Sequence, residues 1–497
     1  MFSNKKSNQN DDDTTDSDAE VDELYLNQYV YSVFSKEEEG ELLENAFHII
    51  ETYILQNGLV FNLPNYQEII IDDTLEIFKA QFKDIYEDDI TEELTEIIHN
   101  AFKLIHQHVC PKRSFKRTFI RKPPNMEVIN KKLDYLRSKH QPEQKSNAWY
   151  EYRHNLLTAS SIWKAFSSDS NKNSLIYDKC KPFNIEKYNM VGTDSPLHWG
   201  HKYEPLSVMY YEMKYKTKIE DFGCIVHDKF KFIAASPDGI NNDPSSQRYG
   251  RMLEIKNIVN REINGIPKIE YWIQMQMQME VCNLNECDFL ETRFVEYEQK
   301  EDFDNDGEFN WSASNKLKGL IMYFIKDEKP FYIYAPLLMN ATDCDNWQEQ
   351  TMLNHQELTW VKNIYWKLEE VSCVLVLRNQ LWFNHAVSVF ENIWETINKE
   401  KVNGYEHRAP NKRIKKTFED KPPSNLITDY MSVPLTQQTI PIKDKKKITV
   451  KKIKKHKEDE IEITPDKGTC YIDINELLSK TDENIEVTQV IETKSIL

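Results

Sequence analysis

Two short stretches concentrate the residue types that phosphodiester hydrolysis requires. Leu253-Glu254-Ile255-Lys256-Asn257 carries a carboxylate and an ammonium two positions apart. In a strand, that spacing puts both on one face and turns Ile255 into the core. Upstream, FKFIAASPDGI reads as a strand running into Ser236-Pro237-Asp238-Gly239, where Pro and Gly make a sharp turn that leaves Asp238 at the strand end. The whole chain has only 12 glycines, so Gly239 marks a real backbone demand. Carboxylates so held bind Mg²⁺ or Mn²⁺, and a neighbouring lysine orients or deprotonates the attacking water. Taken singly, SPDG is an ordinary turn and Glu-x-Lys a surface ion pair. Their order and proximity favour the catalytic reading.

Other stretches extend this constellation. His198-Trp199-Gly200-His201-Lys202-Tyr203-Glu204-Pro205 is expected to open a helix, with Gly200 allowing a close backbone approach and Glu204 near the helix start, where the dipole favours a carboxylate. Arg153, followed by Leu157-Thr158-Ala159-Ser160-Ser161, could hold a phosphate, the arginine through its planar fork and Ser160 from a helix start; helix capping by Thr158 or Ser160 explains the hydroxyls equally well. In YWIQMQMQMEVC, Tyr271, Gln274 and Gln278 share one helical face. Gln274 is expected beside a phosphate or the nucleophilic water, whereas a solvated or interhelical glutamine stripe is the bland alternative.

The elements that must position these groups follow from pattern. Residues 1–22 are polar and acidic and are expected to be disordered. Residues 23–110 show helical apolar spacing, as in ITEELTEIIHNAFKLIHQHV, and are expected to form a small helical domain. A basic linker, 111–125, sets Lys112, Arg113, Lys116, Arg117, Arg121 and Lys122 around Phe115 and Phe119. From 126 to 404 helices and strands alternate, giving an α/β or α+β domain with its motif core at 140–300. Strand FYIYAPL and a long helix from Asn346 to about Asn398 are expected to close it. Residues 405–497, with a lysine-rich run from Lys443 to Lys457, read as a mostly disordered tail.

The 497 residues carry a formal charge of −18, which opposes uniform DNA binding; the acidic groups, however, lie mainly near the N-terminus, and a metal site itself needs carboxylates. The eight cysteines form no CxxC pair and no zinc-type cluster, so reduced thiols are expected. With no apolar run near the ~18 residues needed to cross a bilayer, the chain is expected to be soluble and intracellular, without a membrane partner.

The ordered set Arg153…Leu157-Thr158-Ala159-Ser160, Gly200-x-x-x-Glu204-Pro205, Ser236-Pro237-Asp238-Gly239, Glu254-x-Lys256 and Tyr271-x-x-Gln274-x-Gln276 resembles the YqaJ-like viral recombinase family, to which the phage lambda exonuclease belongs within the PD-(D/E)xK nuclease superfamily. The resemblance implies a restriction-endonuclease-like core, a central mixed sheet flanked by helices, and two-metal hydrolysis of duplex DNA ends in the 5′-to-3′ direction. By that likeness Glu204, Asp238, Glu254 and the carbonyl of Ile255 would ligate Mg²⁺ or Mn²⁺, Lys256 would act on the water, and Gln274 would support the nucleophile or scissile phosphate. Arg153, Ser160 and Tyr271 would contact DNA or its phosphates, Arg153 and Ser160 at a terminal 5′-phosphate. It also implies a single-strand annealing partner, a possible homo-oligomer, and action in an infected cell or a viral particle. A structure- or sequence-specific endonuclease and a non-cleaving DNA-binding protein with a nuclease fold remain the alternatives.

Overall fold

Apolar residues spaced by three and four positions build the N-terminal helices. In α1 (Lys36–Gln56), α2 (Tyr66–Phe82) and α3 (Thr91–His108) the buried positions include Leu42, Ala46 and Ile50, then Ile70 and Phe78, then Leu94, Ile98 and Ala101. The computed structural model describes residues 33–83, 89–184 and 195–410. The acidic 1–22 segment and the run from Lys443 to Lys457 lie outside the described residues. Among the described residues two units are distinguished: one comprises 33–50, 69–83 and 89–103, the other 51–68, 104–184 and 195–410.

The second unit is mixed α/β. Its elements are α4 (Met126–Ser138), α5 (Asn147–His154), β1 (Leu157–Thr158), α6 (Ala159–Ile162), α7 (Asp169–Cys180), α8 (Pro196–Tyr215), β2 (Ile219–Glu220), β3 (Ile225–Val226), β4 (Ile233–Ala235), β5 (Gly239–Asn241) and β6 (Met252–Asn257). There follow α9 (Ile269–Cys282), β7 (Glu286–Glu296), α10 (Lys300–Asn305), β8 (Lys318–Lys326), β9 (Lys329–Tyr334), α11 (Ala341–Asn354), β10 (Thr359–Leu377) and α12 (Gln380–Asn403). Seven strands form one sheet in the order β2-β5-β6-β7-β10-β8-β9, and β1-β4-β3 form a smaller one. In the large sheet β6 and β7 run parallel and the other neighbours antiparallel. A parallel pair needs a crossover, which α9 supplies.

The two faces of β6 have different covers. Toward α8, Leu253, Ile255 and the β7 residue Leu290 pack around Tyr211, while Tyr203 and Leu206 of α8 pack with Phe294, Ile364, Trp366 and Leu368. Each large side chain so removed from water contributes roughly 1.5–3 kcal/mol. Glu254 and Lys256 point the other way, toward α9.

The expected long helix from Asn346 to about Asn398 is instead helix, strand and helix, with β10 between α11 and α12. Its Ile364, Trp366 and Leu368 are buried at alternate positions, a period of two that the Leu and Trp content masked. Strand β10 lies between β7 and β8, and those long-range partners set its conformation. The basic stretch 111–125 is laid against this same strand: Phe115 N–H donates to the Leu375 carbonyl and Thr118 N–H to that of Cys373, both at 2.9 Å. Arg113 donates to the carbonyls of Phe61 and Leu63 at 2.6 and 2.8 Å, whereas Lys116, Arg117, Arg121 and Lys122 are exposed. The seven cysteines among the described residues are unpaired, and no helix among them is long and apolar enough to cross a membrane.

On the α8 side of β7, fully buried Asp288 gathers four donors. Thr118 Oγ1 donates to Oδ1 at 2.6 Å and Arg251 Nη1 at 3.2 Å, while Tyr211 OH donates to Oδ2 at 2.6 Å and Arg248 Nη1 at 2.5 Å. This network pins the loop between β5 and β6 and the basic stretch to the central strands. Removing one partner of such a group strands the others in a dry interior. Asp288→Ala should therefore lower the unfolding free energy of this unit by about 3–5 kcal/mol, read as a shift in denaturant midpoint; a loss under about 1 kcal/mol would show the network to be incidental.

Candidate active site

Asp238 sits where β4 of the small sheet passes through Ser236-Pro237 into β5 of the large one. Gly239 is required there by close approach: a Cβ would lie 2.2 Å from Ile219 Cγ2. The Asp238 Oδ2 accepts the Ile255 N–H at 2.8 Å, tying the carboxylate to the middle of β6. The Ile255 side chain is buried, as its strand parity requires. Glu254, 0% exposed, accepts from Lys256 Nζ through Oε1 and from Gln278 Nε2 through Oε2 at 2.7 Å. Gln278 Nε2 also donates to the Ser236 carbonyl at 3.2 Å, so one α9 side chain joins both strands.

Gln278 is thus the glutamine that reaches the acidic centre. Gln274, one turn earlier and half-buried, makes no side-chain hydrogen bond among the described residues. Both lie on the expected stripe; the depth at which α9 meets β6 selects the later one. Gln276, on another face, is structural, donating to the Leu377 carbonyl and accepting from the Asn379 N–H. Tyr271 packs beside Lys256, whose Nζ lies 5.0 Å from its ring centre, and beside Arg261 at 5.5 Å.

Glu204 lies in the third turn of α8, which begins at Pro196 with Ser195 as its cap. The expected position at a helix start is therefore incorrect, and dipole stabilisation, confined to the first turn, does not explain the residue. Gly200 has open space at its Cβ position, so no close approach demands it; its carbonyl accepts from Asn257 Nδ2 at 3.0 Å. Glu204 faces Lys145 Nζ at 3.3 Å. Lys145 holds a left-handed backbone, φ 65°, uncommon for a residue with a side chain, and no sequence motif announced it.

The electrostatics show that these carboxylates crowd one another. Burial first, then the charge of Asp238, raises the Glu204 carboxyl above its ordinary range, with Lys145 opposing. The same two causes push Glu254 up to about 7, with Lys256 and Gln278 opposing. Burial alone would lower the Lys256 ammonium, but Glu254 and Asp238 more than offset it and hold it above the usual lysine range. Among the described residues no three His, Cys, Asp or Glu are already drawn into a metal-ligand set; ammonium groups meet the charge. The donors are all oxygen and their negative charges are mutually unfavourable, which fits a hard divalent cation such as Mg²⁺ or Mn²⁺.

A second cluster adjoins the first through the Ser236-Pro237-Asp238 turn. Arg153 Nη2 donates to Ser160 Oγ at 2.8 Å and Nη1 to Ser236 Oγ at 3.1 Å, with the guanidinium 4.1 Å from the Trp149 ring centre. Thr158 makes no side-chain cap bond, and Ser160 turns to the arginine. Behind them Lys179 Nζ donates to the Arg153 carbonyl at 2.7 Å; burial, then the Arg153 charge, pushes its ammonium down to about 7. Trp149, Arg153, Ser160 and Lys179 line a cleft of about 670 Å³ that also presents Lys145 and Lys164. Sequence reading singled out Arg153 and Ser160 but missed Ser236, although it stands within the SPDG motif, and Lys179, for which there was no local signal.

Residues 148–285 match the model of the YqaJ-like viral recombinase domain. An uncharacterized protein, R354, of Acanthamoeba polyphaga mimivirus is 30% identical over 333 residues, covering 59% of this chain and 58% of that one; the chain thus spans somewhat over half the length of the relative. Among solved structures, an alkaline exonuclease from Laribacter hongkongensis aligns at 15% identity and a TM-score of 0.31, over 53% of this chain and 97% of that one. The same enzyme in complex with dAMP aligns at 15% identity and a TM-score of 0.30, with the same coverage. Arg153, Ser160, Glu204, Asp238, Glu254, Lys256 and Gln278 all fall inside the matched segment, and residues 148–285 are a YqaJ-like viral recombinase domain.

Proposed function

We propose that this chain is a divalent-metal-dependent DNA nuclease that works from duplex ends, a 5′-to-3′ exonuclease serving recombination, repair or replication of DNA. The observation that carries the reading is the continuity of the two clusters: Ser236, bonded to Arg153, is two residues from Asp238, which is bonded to the strand bearing Glu254 and Lys256. An arginine fork with two hydroxyls is suited to a terminal phosphate. A carboxylate centre beside it would then act on the next phosphodiester.

Glu204, Asp238 and Glu254, with the Ile255 carbonyl, would hold Mg²⁺ or Mn²⁺, which when bound stabilises charge on the attacking and leaving oxygens. Lys256 orients the attacking water and, as a fixed cation, favours its deprotonated form. Gln278 fixes the Glu254 carboxylate, and Arg153, Ser160 and Ser236 set the register of the strand. Gln274, on the same face as Gln278, would contact the scissile phosphate, and Tyr271 would support Lys256 from the side. The viral origin of the relative supports action on viral DNA, in an infected cell or a particle, with a single-strand annealing protein and further copies of the chain as candidate partners.

Three outcomes are expected. Lys256→Ala and Asp238→Ala should each cut Mg²⁺-dependent loss of linear duplex by at least roughly 10²–10³-fold, assayed by release of acid-soluble nucleotide; full activity in both would sink the assignment, and cleavage of closed circles would convert it to an endonuclease. Arg153→Ala should erase the preference for 5′-phosphorylated over 5′-hydroxyl ends, a change of about tenfold or more in relative kcat/KM, as for loss of one charge-assisted hydrogen bond. Because a proton competes with the cation at Glu254, whose carboxyl titrates at about 7, Mn²⁺ affinity measured by calorimetry should fall as pH drops below 7 and level off above it, with proton release on binding; a flat profile would remove Glu254 from the ligand set.

A further inference from the structure

Glu291 lies outside the matched segment and none of the motifs includes it, yet it stands beside the catalytic lysine. In the parallel ladder Lys256 is the register partner of Glu291, about 4.8 Å away across the strands, and register partners project to the same face. That face carries Glu254 and is covered by α9, whose Tyr271 lies beside Lys256. Glu291 is 1% exposed as a side chain. Its Oε1 accepts from Arg261 Nη2, while its Oε2 is buried with no hydrogen-bond partner among the described residues. Burial raises the Glu291 carboxyl above its ordinary range, with Arg261 opposing, Glu370 adding to the rise and Lys256 again opposing it. A buried carboxylate oxygen left unpaired beside an ammonium is costly unless another state of the protein uses it.

Such a state follows from the reading of the site as a metal centre, on which this inference rests. In the described structure the Lys256 ammonium is bonded to Glu254 Oε1, the oxygen that a divalent cation would need. A cation at Glu254 and an ammonium on the same oxygen repel each other, so the lysine must find another acceptor. We propose that Glu291 is that acceptor: a positioning residue whose free Oε2 receives the Lys256 ammonium when a divalent cation engages Glu254, keeping the lysine beside the reaction and clearing the ligand. Arg261 holds the other Glu291 oxygen and, with Lys256, flanks Tyr271.

The test is Mn²⁺ calorimetry on the full chain, with wild type, Glu291→Gln, Arg261→Gln and Asp238→Asn. Glu291→Gln should weaken Mn²⁺ binding by roughly tenfold or more, the usual effect of removing a residue that supports a ligand, while Arg261→Gln stays within about twofold. Equal losses in the two variants would overturn the proposal, because Glu291 would then act only as the arginine's partner; an unchanged Glu291→Gln would overturn it as well. Wild-type binding that Asp238→Asn does not reduce would instead refute the metal-centre reading, and this inference with it. Should Glu291→Gln not fold, a crystal structure of the wild type with Mn²⁺ decides: Lys256 Nζ within about 3.2 Å of Glu291 and released from Glu254 is expected, and an ammonium still on Glu254 refutes the swap.

Discussion

The parallel pairing of β6 with β7 is the constraint on which the rest of this unit depends. Once Glu254 is opposite Phe289 and Lys256 opposite Glu291, strand alternation assigns every neighbouring side chain to a face. Leu253, Ile255, Asp288 and Leu290 go to the α8 side and Glu254, Lys256 and Glu291 to the α9 side. The crossover between two parallel strands must be long, and here it contains α9, the helix that delivers Gln278 to Glu254. One ladder therefore fixes core and chemistry together, and a register slip of one residue would exchange the two faces, setting the charges against α8 and the apolar residues against α9.

Burying acidic groups so close to one another is unfavourable without cations. The protein answers differently on the two faces. On the α8 side Asp288 is closed off by Arg248, Arg251, Thr118 and Tyr211, a set with no remaining acceptor to offer and a structural outcome. On the α9 side Glu254 is met by one lysine and one amide, and burial together with Asp238 still leaves its carboxyl strongly raised. Compensation is incomplete where chemistry is expected and complete where it is not.

The small sheet has a comparable part in positioning. Strand β4 pairs with β1 and β3, then hands the chain through Ser236-Pro237-Asp238 to β5 in the large sheet. Ser236 therefore faces the arginine cluster while Asp238 faces β6, within three consecutive residues. Proline at the handover limits the backbone freedom of this junction, and the two clusters keep a fixed separation.

The sequence by itself determined the groups whose relation is local. Glu254 and Lys256 share a face because the strand period is two, Ile255 is buried for the same reason, and Tyr271, Gln274 and Gln278 share a stripe because the helix period is 3.6. Arg153 and Ser160 were legible from one continuous segment. Only the tertiary structure decided what depends on partners distant in sequence: that Gln278 and not Gln274 reaches Glu254, that Glu204 sits inside α8 opposite Lys145, that Ser236 and Lys179 join Arg153, and that Glu291 lies beside Lys256. The Trp and Leu residues of β10 satisfy either period over short windows, and pairing with β7 and β8 decides for the strand. Local periodicity states which side chains travel together; depth of packing and strand register, set by contacts far along the chain, state which of them meet.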